Sequence, residues 1–270
     1  MSRLGALLAL AMLLPLRAAA GEGSLGPDGT VVTRATFPSE LVLRPLVTPL
    51  GLLTAELTFG VDLSPSVSPY LKATVSYGVG DHLELGVEGL ALGTYGGGIF
   101  ARYQFAPNVA GNVWGQFAVD LQGGAPLNVA QIGLGLPLKW KFPGVPIALT
   151  GLGTVFLVTY EQASAGGVDA YDRTLTQLQI PVTLQISPVP VFSLELGVQG
   201  VVKTSDTLGS DVASPNPLSS SAAGDVLAWG ALSLTLRHFD VGLSGGYEVF
   251  FQLPVQGLAY CALTGAVRFW

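Results

Sequence analysis

The sequence predicts an all-β fold: a closed, antiparallel, up-and-down transmembrane β-barrel of twelve strands. Three observations predict it. From residue 52 onward, apolar and small-or-polar residues alternate at period two through segment after segment. The chain holds 36 Gly and 18 Pro in 270 residues, a load of helix breakers that suits turns. Only 11% of its residues are charged, where an ordinary soluble domain carries about a quarter.

Composition excludes several other classes. At 49% hydrophobic residues the chain is the opposite of a disordered one. A balance of 12 Lys+Arg against 18 Asp+Glu gives no basic footprint for nucleic acid. Cys261 is the single cysteine, so no intrachain disulfide forms, and its apolar alternating surroundings read as packing rather than reactivity.

Residues 1–20 read as a secretory signal peptide. Arg3 gives the positive start, Leu4 to Leu16 the apolar stretch, and Ala18, Ala19 and Ala20 the small-residue cleavage site. The apolar run is too short for a spanning helix, which needs roughly 20 residues. Residues 21–51 follow as an N-terminal segment that Pro27, Pro38, Pro45 and Pro49 keep from regular structure. A plain linker, a periplasmic lead-in and a lumenal insertion all fit this stretch.

The barrel occupies residues 52–270. Its twelve segments run at about 52–62, 70–79, 82–92, 97–106, 110–122, 128–141, 147–159, 174–187, 191–203, 226–237, 239–251 and 257–269. Connections after the even-numbered segments are tight: Val79 to Asp81, Pro107 to Val109, Phe142 to Pro146, Pro188 to Pro190, and Arg237-His238. The others are longer on the whole, among them Tyr160 to Arg173 and Thr204 to Asp225. Short turns on one rim and long loops on the other fit an outer-membrane barrel with both chain ends on the turn side. The charge-free window from Phe142 to Tyr160 reads as β structure rather than a helix, because Pro143, Gly144, Pro146, Gly151 and Gly153 interrupt it.

Charge placement decides between a membrane barrel and a soluble sandwich. One face carries Leu83, Leu85 and Val87, then Val113 and Phe117, then Ile132 and Leu134, then Leu196 and Val198, with no charge in mid-strand. The opposite face carries Glu56, Lys72, Glu84, Glu88, Arg102, Asp120, Lys139, Lys141, Glu195, Arg237 and Glu248, which are the expected pore-lining residues. Aromatics near segment ends suit interfacial girdles: Tyr70, Tyr77, Tyr103, Phe105, Trp140, Phe142, Tyr160, Phe192, Phe239, Phe250 and Phe251.

No catalytic constellation stands out. His82 and His238 both fall at tight turns, away from the long-loop side. Glu84 and Glu88 lie about 13 Å apart by strand rise, too far for an acid/base carboxylate pair. No His/Cys/Asp cluster has metal-ligand spacing, and the runs at Gly96 to Gly98 and Gly166-Gly167 lack the helix and Lys of a phosphate cradle. The expectation is a non-enzyme without metal or cofactor.

The leader, the twelve alternating segments and the end Val267-Arg268-Phe269-Trp270 together resemble the outer-membrane β-barrel proteins of diderm bacteria. That resemblance covers nearly all of the chain beyond the leader, through architectural motifs. It implies outer-membrane lipid around the barrel and the barrel-assembly machinery as a partner in biogenesis, with Phe269 as the terminal aromatic and Trp270 one residue beyond. The functional expectation is a channel passing small solutes through a polar lumen. The alternative is a non-conducting scaffold whose extracellular loops bind a partner.

Overall fold

The computed structural model describes residues 23–63, 67–92, 94–120, 127–151, 155–165, 168–208, 224–250 and 256–269. The leader lies outside them, as do 209–223 of the long polar stretch, Phe251 and Trp270.

The N-terminal segment begins with a small antiparallel pair, β1 (Ser24–Leu25) and β2 (Val31–Val32). Two 3-10 turns follow, Arg34–Thr36 and Leu41–Leu43. Thr33 caps the first of them: Thr36 N donates to Thr33 Oγ1 at 3.2 Å, and Thr33 N donates to Thr36 Oγ1 at 2.9 Å, which satisfies donors that a short helix leaves open.

The wall runs β3 (Leu53–Asp62), β4 (Ser68–Gly80), β5 (Leu83–Ala91), β6 (Thr94–Ala106), β7 (Val109–Asp120), β8 (Leu127–Gly135), β9 (Lys139–Lys141), β10 (Ile147–Thr150), β11 (Val155–Ala165), β12 (Val168–Val189), β13 (Phe192–Leu208), β14 (Gly224–Thr235), β15 (Phe239–Phe250) and β16 (Gln256–Phe269). β8 with β9, and β10 with β11, each form one stave, so the described residues make twelve staves. Each pairs antiparallel with its neighbours. The sheet closes because β16 returns to β3, with Phe269 opposite Leu53, and β11 joins β8 to β12. Closure pairs the backbone polar groups that lipid cannot satisfy.

Alternation sorts the faces as the sequence indicates. Leu85, Val87, Ile99, Phe117, Ile132, Leu196, Leu243 and Leu263 are exposed on the outside, while Ser76, Glu84, Gln104, Lys139, Thr183 and Gln185 are buried inside. The outward aromatics Tyr77, Phe105, Trp140, Phe142, Phe192, Phe239 and Phe269 ring the turn end. Tyr70 departs from the girdle. It shares the inner parity of Lys72 and Thr74, and its ring covers Gly60 on β3.

Three further expectations are corrected. The sixth and seventh segments are each broken, because Pro137 offers no backbone donor and Gly151 takes φ +95. Gly151 N then bonds back to Leu138 O at 2.9 Å. Pro181 of β12 faces this break, between the pairing of β12 with β11 and its pairing with β10, where its missing N–H leaves no gap in a ladder. Tyr160 to Arg173 is not a loop: β11 and β12 continue pairing to Ala165 and Val168, and Glu161 stands opposite Arg173. Arg237 is not on a strand. β14 ends at Thr235, Leu236 N bonds to Phe239 O at 2.9 Å, and Arg237 occupies the exposed turn.

Candidate functional site

The inner face at the turn end receives the N-terminal segment. Entry to β3 is made over Gly78, whose lack of a side chain lets the chain cross: Gly78 N donates to Leu52 O at 3.1 Å, and Gly51 N donates to Gly78 O at 2.9 Å. A Cβ on Gly78 would overlap the Pro49 carbonyl. Upstream, Val42, Val47 and Leu52 are buried within the bore, and Val32, Phe37 and Leu52 cluster there.

Side chains from around the wall fasten this segment by its backbone. Gln104 of β6 exchanges two bonds with Leu25, accepting from its N–H at 3.2 Å and donating to its carbonyl at 2.7 Å. In the opposite sense, Ser24 Oγ of the segment donates to Asp81 O of the β4–β5 turn at 2.8 Å. Lys139 of β9 donates to Leu41 O at 2.7 Å and to Arg44 O at 3.1 Å. Thr48 N donates to Glu84 Oε2 at 3.1 Å, and Arg102 Nη1 donates to Leu46 O at 3.2 Å. Arg237 donates to Ala35 O from the rim. Such a set leaves few buried polar groups without partners where the chain runs without regular structure.

One ion cluster anchors the segment's middle. Arg44 Nη1 and Nη2 reach Asp240 Oδ2 and Oδ1 at 2.6 and 2.8 Å, a bidentate pair. Arg268 of β16 binds the same carboxylate. Phe37 lies under both guanidinium groups, 5.4 Å from Arg44 and 5.0 Å from Arg268, at cation–π range. Burial pushes the Arg44 pKa down and its bonds to the Asp240 carboxylate oppose that shift; an arginine remains cationic.

The pore-lining residues read from the sequence divide by role. Glu84, Arg102 and Lys139 are inward but engaged with the N-terminal segment, with Arg102 also 3.4 Å from Glu84. Lys72 and Glu88 pair across β4 and β5 at 2.8 Å. Glu195 accepts from Gln185 Nε2 at 3.0 Å. Glu56 lines the open part of the lumen. Glu248 is half-buried on the inner parity of β15. Lys141 stands at the rim, 3.4 Å from Phe142 O. Arg237 is a turn residue, as described above. The side chain of Asp120 lies outside the described residues. Arg44, Gln104, Asp240 and Arg268 were not singled out from the sequence, although alternation places Asp240 with Glu248 and Arg268 with Thr264 on the inner face.

Above the segment the lumen holds a cavity of about 830 Å³, with Leu46, Val47 and Thr48 at its floor and Glu56, Thr74, Trp114 and Gln116 in its wall. A second chamber of about 430 Å³ meets it around Leu41, Arg44, Glu56 and Arg268. The geometry is that of a closed barrel whose polar bore is filled at one end by its own chain.

No protein-family model matches the chain, and no curated protein matches it. Solved structures do. The NanC porin is similar at 9% identity and a TM-score of 0.53, over 79% of this chain and 98% of that one. An outer membrane channel from Pseudomonas putida F1 is similar at 10% identity and a TM-score of 0.52, over 83% of this chain and 97% of that one. The fold is that of bacterial outer-membrane porins and channels.

Proposed function

We propose that this chain is a bacterial outer-membrane channel for small solutes, narrowed from its turn end by residues 24–52. The observation that carries this reading is the opposition of faces: apolar side chains such as Ile99, Phe117 and Ile132 stand outside, and a paired, polar lumen with a cavity of about 830 Å³ stands inside. A lipid-facing wall with a wet interior is the physical requirement for a pore. Likeness in fold to a porin and an outer membrane channel supports it. Lipid surrounds the outer face in this reading, the leader exports the chain, the assembly machinery reads the last strand, and the turn rim faces the periplasm.

The test is conductance of the purified chain in planar bilayers. Discrete current steps are expected. A second reading, a non-conducting scaffold, is favoured by the number of bonds that seat the segment in the bore. Silence from the full chain, and equally from a chain whose segment has been removed, would select it.

A further inference from the structure

We propose that the lumenal cavity binds an uncharged, hydroxyl-rich solute with one apolar face, that is, a neutral saccharide; this rests on the channel reading and names the ligand class of the same site. Three observations converge on it.

Aromatic rings are laid against the inner wall. The Trp114 ring lies across Gly133 of the next stave, and the Trp229 ring lies across Gly197. Each ring covers bare backbone on one side and is half-buried, so its other side is open to the bore. Trp114 lines the larger cavity; Trp229 and Tyr260 line the chamber that joins it. Flat, wall-mounted rings offer stacking faces to a solute that has an apolar face of its own.

The charges of this lumen are largely answered from within. Lys72 pairs with Glu88, Arg102 with Glu84, and both Arg44 and Arg268 with Asp240. An ionic solute would have to break such pairs, whereas a neutral one meets hydroxyls and amides, among them Thr54, Thr74, Gln116 and Thr150.

The wall also offers hydrogen-bonding groups of both kinds. Thr54, Thr74 and Thr150 carry hydroxyls and Asn112, Gln116 and Gln185 carry amides, and all six residues line the cavity. Hydroxyl groups donate and accept, so one ligand chemistry serves both. A volume of about 830 Å³ falls in the ordinary range for small-ligand sites, ~300–1,000 Å³.

The experiment titrates the folded full chain in detergent with maltose by calorimetry, with sodium gluconate as the charged comparison. Saturable binding of maltose is expected. Trp114→Ala, checked for folding by the gel mobility of the unboiled barrel, should weaken it about three- to tenfold, the scale of one lost aromatic contact. Asn112→Leu, which leaves the ring in place, should weaken it too, and Trp140→Phe on the outer face should leave it unchanged. Absence of saturable maltose binding, equal or tighter binding of gluconate, or indifference to both inner-face variants would overturn the proposal. Calorimetry does not depend on conduction: maltose binding by a chain silent in bilayers would sink the channel and keep the saccharide site, and conduction without maltose binding would do the reverse.

Discussion

The Arg44 guanidinium and the Asp240 carboxylate meet in a two-point bond, 2.6 and 2.8 Å long, across 196 positions of sequence. One belongs to an irregular segment and the other to a barrel stave, so the bond fixes where in the bore the segment sits. Arg268 shares the carboxylate. Asp240→Asn leaves two guanidinium groups facing each other without a countercharge, a loss on the order of 2 kcal/mol. The segment should loosen while the wall persists. A Val42→Cys reporter in a Cys261→Ser background measures it: Val42 is fully buried, and its thiol should react faster with a water-soluble maleimide once Asp240→Asn is added.

Gly78 and Pro49 test the same seating from the opposite side. Any side chain at position 78 strikes the Pro49 carbonyl. Gly78→Val should therefore lift the lead-in from the wall and raise labelling at position 42. β4 should stay paired, since valine suits a strand. Unchanged labelling in a folded Gly78→Val barrel would contradict the close approach.

Phe37 lies at cation–π range of both Arg44 and Arg268. Phe37→Leu keeps an apolar group and removes the ring face, which should cost about 1–2 kcal/mol of segment docking. Amide hydrogen exchange at Val42 and Val47 should accelerate accordingly, with exchange in β6 and β7 unaltered.

The lipid assignment is tested by charge on either face. Ile99 is 68% exposed at the middle of β6. Ile99→Arg should destabilise folding into lipid vesicles by about 2–4 kcal/mol, the loss for a cation at bilayer mid-depth. Gln116→Arg, on the inner face of β7, should cost far less in the same denaturant titration.

Much of this fold was legible because a half-wetted strand writes its geometry at period two. Leu85 and Glu84, or Phe117 and Gln116, differ by one residue and face opposite solvents, so twelve staves and the tight-turn rim could be read directly. The two broken staves could not be counted on, since alternation survives a break and only Pro137 and Gly151 mark it. The extended hairpin beyond Tyr160 was hidden by its polar composition, which reads as loop once strands leave the lipid belt. Seating of the segment was hidden for another reason: Lys139, Gln104 and Arg102 hold backbone carbonyls and amides, and a backbone group has no letter in the sequence. Asp240 and Arg268 sat on a legible face, but their joint partner, Arg44, lies in a stretch without periodicity.

The most direct measurement compares single-channel conductance of the full chain with that of a chain lacking residues 25–45, both reconstituted in planar bilayers at the same salt. Larger current steps from the shortened chain, over a smaller but discrete step from the full one, are the expected result. Equal conductance from the two, or a shortened barrel that stays shut, would contradict a water-filled lumen occupied at one end by its own N-terminal segment.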